Sequence, residues 1–562
     1  MDFEAATKKV LDTDDLYQFS EYTYAGQSYK AFVNTPQTLY DLLEYGKKTR
    51  QWDEFIVYEN ERITYSQFLE KVGSVAAYLQ QELGVKKGDK VAVAMRNFPE
   101  YPILIMGIVS IGAIVVFVNA WWTTSEMEYG FYDSSAKICF ADKERLNVIL
   151  PFSKDFGIKL IGIRSQHDNN FLDYEKEVAS YPSKNLKIPN IDPNDDFGIM
   201  YTSGSTGNPK GVVLTQRGAI SAVFSWLMME KIGSYVYPEK VSAKKPSSIL
   251  LLSPFFHVNG SHPNFLYGIA KGSKITLMYK WDPKQAVDII ENETITLIRA
   301  VPTVISDLVE EAIAQNKSLS SLETLNAGGA KRPPPNVAYE KKALPSTDIS
   351  SGYGMTETNA LGVSVSGDEY LENPELAGRL IGVLQDIKIV DESDKEVMYG
   401  EVGEIAIKSP ANMRCYLNKK KETDEVLIDG WMHTGDLGHM NSQGLVTIVD
   451  RKKNIIIRGG ENISCLEVEG MLQKHQSILE SIVFAVPNER FGEEVGACIN
   501  LKKKQSLHRE EICQFLNDKL AKFKIPAHYW LADDSLPRGA TDKLDRITTR
   551  ELCLDNKIKK LQ

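Results

Sequence analysis

The sequence predicts an α/β fold: a large N-terminal domain of βαβ-type sheets plus a small strand-rich subdomain, followed by a small mobile α+β C-terminal domain. Three observations predict it. From about residue 35, apolar strand-like runs alternate with helix-period segments. Residues 400–450 are crowded with short strands and turns. A charged turn, Asp450-Arg451-Lys452-Lys453, then sets off a last segment of about 110 residues, a normal size for a small domain. At 562 residues the chain is also too long for one ordinary core.

The elements follow in order. Ser66–Leu83 reads as an amphipathic helix, Lys90–Met95 as a strand and Glu100–Ile111 as a second helix. Pro102–Val118 carries no charge over 17 residues, the short edge of a bilayer span. Its character changes at Gly112 from helix-like to β-branched, and no basic cluster flanks it. It is expected to be a buried helix followed by a buried parallel strand. Ser248–Leu252 (strand), Pro283–Glu291 (helix), Leu297–Ala300 (strand) and Val304–Ala314 (helix) continue the alternation. Pro333–Pro335 reads as a stiff loop. The chain is therefore divided into 1–450 and 451–562, the latter opening with the strand Ile455–Ile457.

Composition narrows the function. Apolar residues make up 43% and charged residues 25%, a globular balance. The net charge of -10 gives no general attraction to nucleic acid or anionic membrane. Residues 451–562 are mildly basic, with 20 Lys and Arg against 16 Asp and Glu, which suits a lid meeting an anionic ligand. Six cysteines show no C-x-x-C or zinc spacing, so a reducing, cytoplasmic setting is expected. The N-terminus has no secretory apolar run and the C-terminus no retention address. Expected partners are small molecules, with no nucleic acid, no integral membrane segment, peripheral membrane contact allowed, and a monomer or homodimer.

The strongest local signal is the stretch from Tyr201 to Gly211, which reads YTSGSTGNPKG after the apolar Phe197–Met200. Glycines let backbone approach phosphate oxygens, hydroxyls donate to them, and Lys210 offsets their charge. It is not a Walker A loop, and hydroxyl-rich loops are often plain turns.

Taken with later motifs, the stretch closely resembles the phosphate loop of the adenylate-forming superfamily, which includes acyl-CoA synthetases, amino-acid-adenylating domains and beetle luciferases. The matching motifs come in order: Gly328-Gly329-Ala330; Gly352-Tyr353-Gly354-Met355-Thr356-Glu357; Trp431-Met432-His433-Thr434-Gly435-Asp436; Asp450 to Lys453 with Arg458-Gly459-Gly460-Glu461-Asn462; and Leu536-Pro537-Arg538 with Lys543. The resemblance spans about residue 35 almost to the end and implies an ATP-dependent acyl-CoA synthetase using ATP, Mg and CoA.

It also implies roles. Thr202, Ser203, Gly204, Ser205, Thr206, Gly207 and Lys210 would cradle phosphates. Gly329, Ala330, Gly352, Tyr353 and Gly354 would line the adenine site, Tyr353 laying a flat ring on a flat base. Thr356 would donate to phosphate, and Glu357 would hold Mg. Asp436 would accept from ribose hydroxyls, and Arg451 would contact ribose or phosphate. Lys543 would offset the charge crowded together when a carboxylate attacks the α-phosphate. Phe255, Phe256, His257, Asn259, Gly329, Leu361 and Gly362 would shape the acyl pocket, His257 steering the carboxylate or gating the two half-reactions. His257 is equally readable as a satisfied core histidine. Lys453 would be the hinge, and rotation there would bring Gly459, Gly460, Glu461 and Asn462 to the CoA channel.

Three positions depart from the family pattern: Asp542 stands where glycine precedes the lysine, Cys465 for proline, and Cys415 for glycine. The acid is expected to be a medium- or long-chain fatty acid. The alternatives are an aryl acid, loading of a carrier protein by an acyl-AMP ligase, an amino-acid-adenylating module, a luciferase-like oxygenase and, outside enzymes, a non-catalytic acyl or nucleotide sensor.

Overall fold

The computed structural model describes residues 1–166, 168–202, 208–238, 246–503, 505–517, 519–539 and 543–561. Each expected helix and strand of the N-terminal half is present with shifted ends. The first long helix runs Tyr65–Gln81 because Thr64 and Gln67 cap it reciprocally, the Thr64 hydroxyl accepting from the Gln67 amide at 3.2 Å. Glu100–Ser110 is a helix buried at every position, and Ile114–Phe117 follows as a buried parallel strand. The uncharged stretch is thus divided between two core elements. Among the described residues, no helix is long and apolar enough to cross a membrane.

That buried helix begins with Glu100, whose carboxylate accepts from Arg164 Nε at 3.0 Å, while Arg164 also grips Glu61. Pro302 starts the helix ending at Ala314, two residues before the expected Val304, since proline suits a first helical turn. The same physics corrects the reading of Pro333–Pro335: Pro334 and Pro335 open the helix Pro334–Ala343 rather than forming a loop.

Among the described residues, eight strands form one sheet, with Asp196–Thr202 between its parallel partner Ile114–Phe117 and its antiparallel partner Lys210–Thr215. A larger sheet carries the parallel series Ser248–Leu251, Leu297–Ala300, Thr324–Gly328 and Asp348–Gly354. It continues through antiparallel strands to Trp431–Met440 and Val446–Arg451, the strand-rich part. A separate six-stranded sheet is built wholly from residues after 454, beginning with Ile455–Arg458. The fold is therefore a large N-terminal α/β domain and a small C-terminal one.

Asp450 ties the two together. Its fully buried carboxylate accepts from Ser464 Oγ at 2.7 Å and the Leu466 amide at 2.8 Å, at the start of the helix Cys465–Leu472. Cys465 occupies the first turn of that helix and donates its thiol to the Asn454 carbonyl at 2.8 Å. The same helix brings Glu469 into the core, where Arg546 Nη2 lies 2.6 Å from Oε1 and the Val483 amide donates at 2.7 Å.

Arg546→Met leaves the Glu469 carboxylate buried without its cation and is expected to cost about 3–5 kcal/mol of C-terminal domain stability. Urea unfolding followed by fluorescence of Trp530, the one tryptophan after residue 450, measures it.

Candidate active site

The two domains face each other across a cleft of about 4930 Å³. That is several times the ~300–1,000 Å³ of a single-ligand pocket, so it has room for several groups at once. Its N-terminal wall is made by strand ends and the turns that follow them. Gly328 to Ala330 leave the strand Thr324–Gly328, and Gly352 to Gly354 end the strand beside it. Gly354 admits no side chain, because a Cβ there would lie 2.4 Å from the Ala360 carbonyl oxygen.

Lys543 crosses from the C-terminal domain. Its loop is closed by two backbone bonds, Gly539 N–H to the Lys543 carbonyl and Asp545 N–H to the Pro537 carbonyl, both 2.8 Å. The side chain reaches Gly329, where a Cβ would stand 3.3 Å from Lys543 Cε and 3.5 Å from Nζ. With φ at +81°, position 329 resists a side chain on backbone grounds as well. Water of the open cleft wets Lys543, but protein surrounds it deeply. That loss of solvent, with the nearby Arg451 cation, pushes its ammonium down to about 8 against the pull of Asp436 and Glu357.

Asp436 lies at the floor of the cleft. Its Oδ2 accepts from the Tyr353 hydroxyl at 2.7 Å and its Oδ1 from Arg451 Nε at 3.1 Å. A bulged turn supports it: the Asp436 amide donates to Thr434 Oγ1 at 3.1 Å, and the Gly435 amide donates to Glu404 Oε1 at 2.9 Å. Burial, then Asp436, raises the Tyr353 phenol well above its ordinary range, so it stays a donor.

Glu357 is buried and accepts at Oε1 from the Tyr416 hydroxyl at 2.7 Å. Burial raises its pKa, opposed mainly by that hydrogen bond and also by the Arg451 and Lys210 charges. Lys210 Nζ sits 4.8 Å from the centre of the Tyr416 ring. Thr202 faces Lys210 across the hairpin. Ser203, Gly204, Ser205, Thr206 and Gly207 lie outside the described residues, as does Asp542. Thr356 and Ala330 line the cleft.

His257 and His262 separate cleanly. His262 is the satisfied core histidine, bonded to Ser261 Oγ at 2.8 Å and Asn359 Oδ1 at 2.9 Å. His257 lines the cleft, and among the described residues its Nε2 has no hydrogen-bond partner. Desolvation, with a smaller push from Lys543, lowers its pKa to about 3. Phe256 and Asn259 also line the cleft. Phe255 instead packs in the core against Tyr101, and Leu361 against Ala222, Ile381 and Ala411. Gly362 supports the wall from behind, where a Cβ would meet the Tyr353 carbonyl oxygen at 2.4 Å. Cys415 pairs with Val213 as part of a short edge strand.

Gly459, Gly460, Glu461 and Asn462 form an exposed hairpin tip and are not among the residues facing the cleft. Lys453 lies in the short turn after Arg451, and Lys452 reaches Glu404 at 3.4 Å.

One wall was missed by sequence reasoning. On the helix Gln216–Val236, Trp226, Met229, Glu230, Gly233 and Ser234 line the cleft, joined by Tyr237 just beyond its end. Their spacing of three and four marks one helix face, running about 16 Å at 1.5 Å per residue. The signal was visible as an aromatic, a thioether and a carboxylate on one stripe of a long helix.

Comparison with known proteins identifies the family. A family model described as AMP-binding enzyme matches residues 44–417, and one described as AMP-binding enzyme C-terminal domain matches 467–543. The chain is 32% identical over 525 residues to a long-chain-fatty-acid–CoA ligase of Bacillus subtilis, covering 87% of this chain and 90% of that protein. It is 31% identical over 499 residues to a 2-succinylbenzoate–CoA ligase of Bacillus cereus, covering 88% and 94%. The solved o-succinylbenzoate CoA synthetase of Bacillus subtilis, in complex with its acyl-adenylate intermediate, superposes with a TM-score of 0.77 at 25% identity, covering 90% and 97%.

The electrostatics are directly measurable. Amine labelling of Lys543, read by peptide mass spectrometry across pH, is expected to rise with a midpoint near 8. Arg451→Gln removes a repelling cation and moves that midpoint upward.

Proposed function

Since the chain belongs to the AMP-binding enzyme family, we propose that it is an AMP-forming acid–CoA ligase whose acid is a medium- or long-chain fatty acid. The observation that carries this reading is Lys543 reaching Gly329 from the opposite domain, beside Asp436, Arg451 and Glu357. A cation held there meets negative charge on both reactants.

In the first half-reaction the acid's carboxylate oxygen attacks the α-phosphorus of ATP, the bond to the β-phosphate bridge oxygen breaks, and pyrophosphate leaves. The Lys543 ammonium stabilises the crowded charge. Lys210, Thr202 and Ser203 to Gly207 would hold the β- and γ-phosphates, and Thr356 would donate to a phosphate oxygen. Tyr353 would pack on adenine, and Asp436 with Arg451 would meet the ribose. Neutral His257 offers Nε2 toward the acyl side without adding charge.

Glu357 suits magnesium: its carboxylate has one oxygen fixed by Tyr416, and the described residues contain no cluster of three His, Cys, Asp or Glu. A hard ion held by one carboxylate and substrate phosphates fits that donor set. Bound there, the ion supplies charge neutralisation for the triphosphate.

In the second half-reaction a thiolate attacks the acyl carbonyl, the acyl–phosphate oxygen bond breaks, and AMP leaves. The exposed Gly459–Asn462 turn has to enter the cleft for this, so we assign a rotation about Lys453 between the halves, with residues 1–450 as the fixed body and 451–562 as the moving one. The fatty acid is favoured by the long-chain relative and by the length of the helix face that carries Trp226 and Met229, about 16 Å at 1.5 Å per residue. The 2-succinylbenzoate relative favours an aryl acid as the second reading.

A panel of acetate, fatty acids of six to eighteen carbons, benzoate and cinnamate with MgATP and CoA tests the reading by mass spectrometry of the acyl-CoA formed. A fatty acyl-CoA is expected. An aroyl-CoA favours the second reading, and no thioester with these acids or with dicarboxylic acids of the same lengths rejects the ligase. Adenylation by the preferred acid should be full below pH 8 and fall as Lys543 loses its proton above about 8, with no limb from His257 between pH 5 and 7.

A further inference from the structure

The part of the cleft beside the helix Gln216–Val236 contains one feature that a plain fatty chain does not use. Arg299, on the strand Leu297–Ala300, lines it together with Trp226, Met229 and Tyr267. Its guanidinium lies 4.4 Å from the centre of the Tyr267 ring. Nη1 donates at 2.5 Å to the Pro263 carbonyl, inside the π-helical turn Ser261–Leu266. A π turn widens the backbone ladder and loosens the ordinary carbonyl pairing, so this bond has a structural purpose.

The nearby carboxylate is already committed. Glu230, on the helix face opposite, has both oxygens 2.8 Å from Lys271 Nζ, and Oε2 also accepts from the Tyr267 hydroxyl at 2.9 Å. Among the described residues, Arg299 makes no ion pair with any carboxylate. A guanidinium has five N–H donors, and the Pro263 and Tyr267 contacts leave several facing the cavity. Half-buried on the cleft wall, the guanidinium keeps donors that an anionic ligand can take.

We infer that Arg299 is a specificity-determining residue that receives a second carboxylate, at the far end of the acid, so that the substrate class is an apolar-bodied dicarboxylic acid. This rests on the ligase reading for the position of the reacting carboxylate. Arg299 suits the task because its planar fork meets both oxygens of a carboxylate, which a lysine does not. The neutral strut of Lys271, Glu230 and Tyr267 holds the ring against which the guanidinium stacks.

The test measures equilibrium binding by calorimetry and acyl-CoA formation in parallel. Dicarboxylic acids of six to sixteen carbons are compared with monocarboxylic acids and ω-hydroxy acids of equal length. The wild type should bind the best dicarboxylic acid at least about tenfold more tightly than its monocarboxylic counterpart, the scale of one charge-assisted contact. Arg299→Met should abolish that preference while keeping monocarboxylate binding, and Arg299→Lys should restore part of it. A wild type that prefers the monocarboxylic or hydroxy acid overturns the inference, whether or not Arg299→Met folds. Dicarboxylate binding through Arg299 without any thioester formed would keep this inference and reject the ligase reading.

Discussion

Asp436 is the charge around which the cleft is organised. A carboxylate only 5% exposed has to be paired or hydrogen-bonded to be tolerated, and this one has a donor on each oxygen. The Tyr353 hydroxyl comes from the strand beside the Gly328–Ala330 turn, and Arg451 from the last residue of the N-terminal sheet. One buried anion thereby fixes an aromatic ring, the end of the sheet and the point where the chain leaves for the second domain. Lys543 enters a field already set by Asp436, Glu357 and Arg451. Its lowered pKa follows first from desolvation in the depth of the cleft and then from the Arg451 cation, against the pull of Asp436 and Glu357.

The junction is built by the same logic. Asp450 is buried next to the exposed Arg451 and binds the start of the following helix through Ser464 and Leu466. The six-stranded sheet is therefore attached through a short, strongly specified connection, with the Lys452–Asn454 turn between. In this arrangement Lys543 is inside the cleft and the Gly459–Asn462 hairpin is outside it. They lie on different sides of one small domain, the placement that the proposed rotation about Lys453 requires.

Much of this was legible in the sequence. The alternation of strand and helix was carried by β-branched runs such as Ile114–Phe117, whose apolar character is fixed by burial on both faces. Motif residues such as Tyr353, near a strand end, Asp436, within the strand Trp431–Met440, and Lys543, in the loop before the helix Arg546–Leu554, converge on one cleft. What escaped has a common cause: it depends on packing between segments distant in sequence. Leu361 and Phe255 read as pocket residues but are core, because their neighbours Ala222 and Tyr101 come from elsewhere in the chain. Arg299 reads as an ordinary strand residue until Glu230 is seen to be occupied by Lys271. The two histidines, alike in sequence, differ because Asn359 arrives to satisfy only one.

The role proposed for Lys543, charge stabilisation during adenylate formation in this domain arrangement, separates the two half-reactions. It is tested most directly by splitting the half-reactions in Lys543→Ala. Acid-dependent ATP–pyrophosphate exchange without thiol reads the first, and transfer from a synthetic acyl-adenylate to CoA reads the second. Exchange is expected to fall by about 10²–10³-fold, with transfer close to wild type. Exchange unchanged, or both halves falling together, would contradict it.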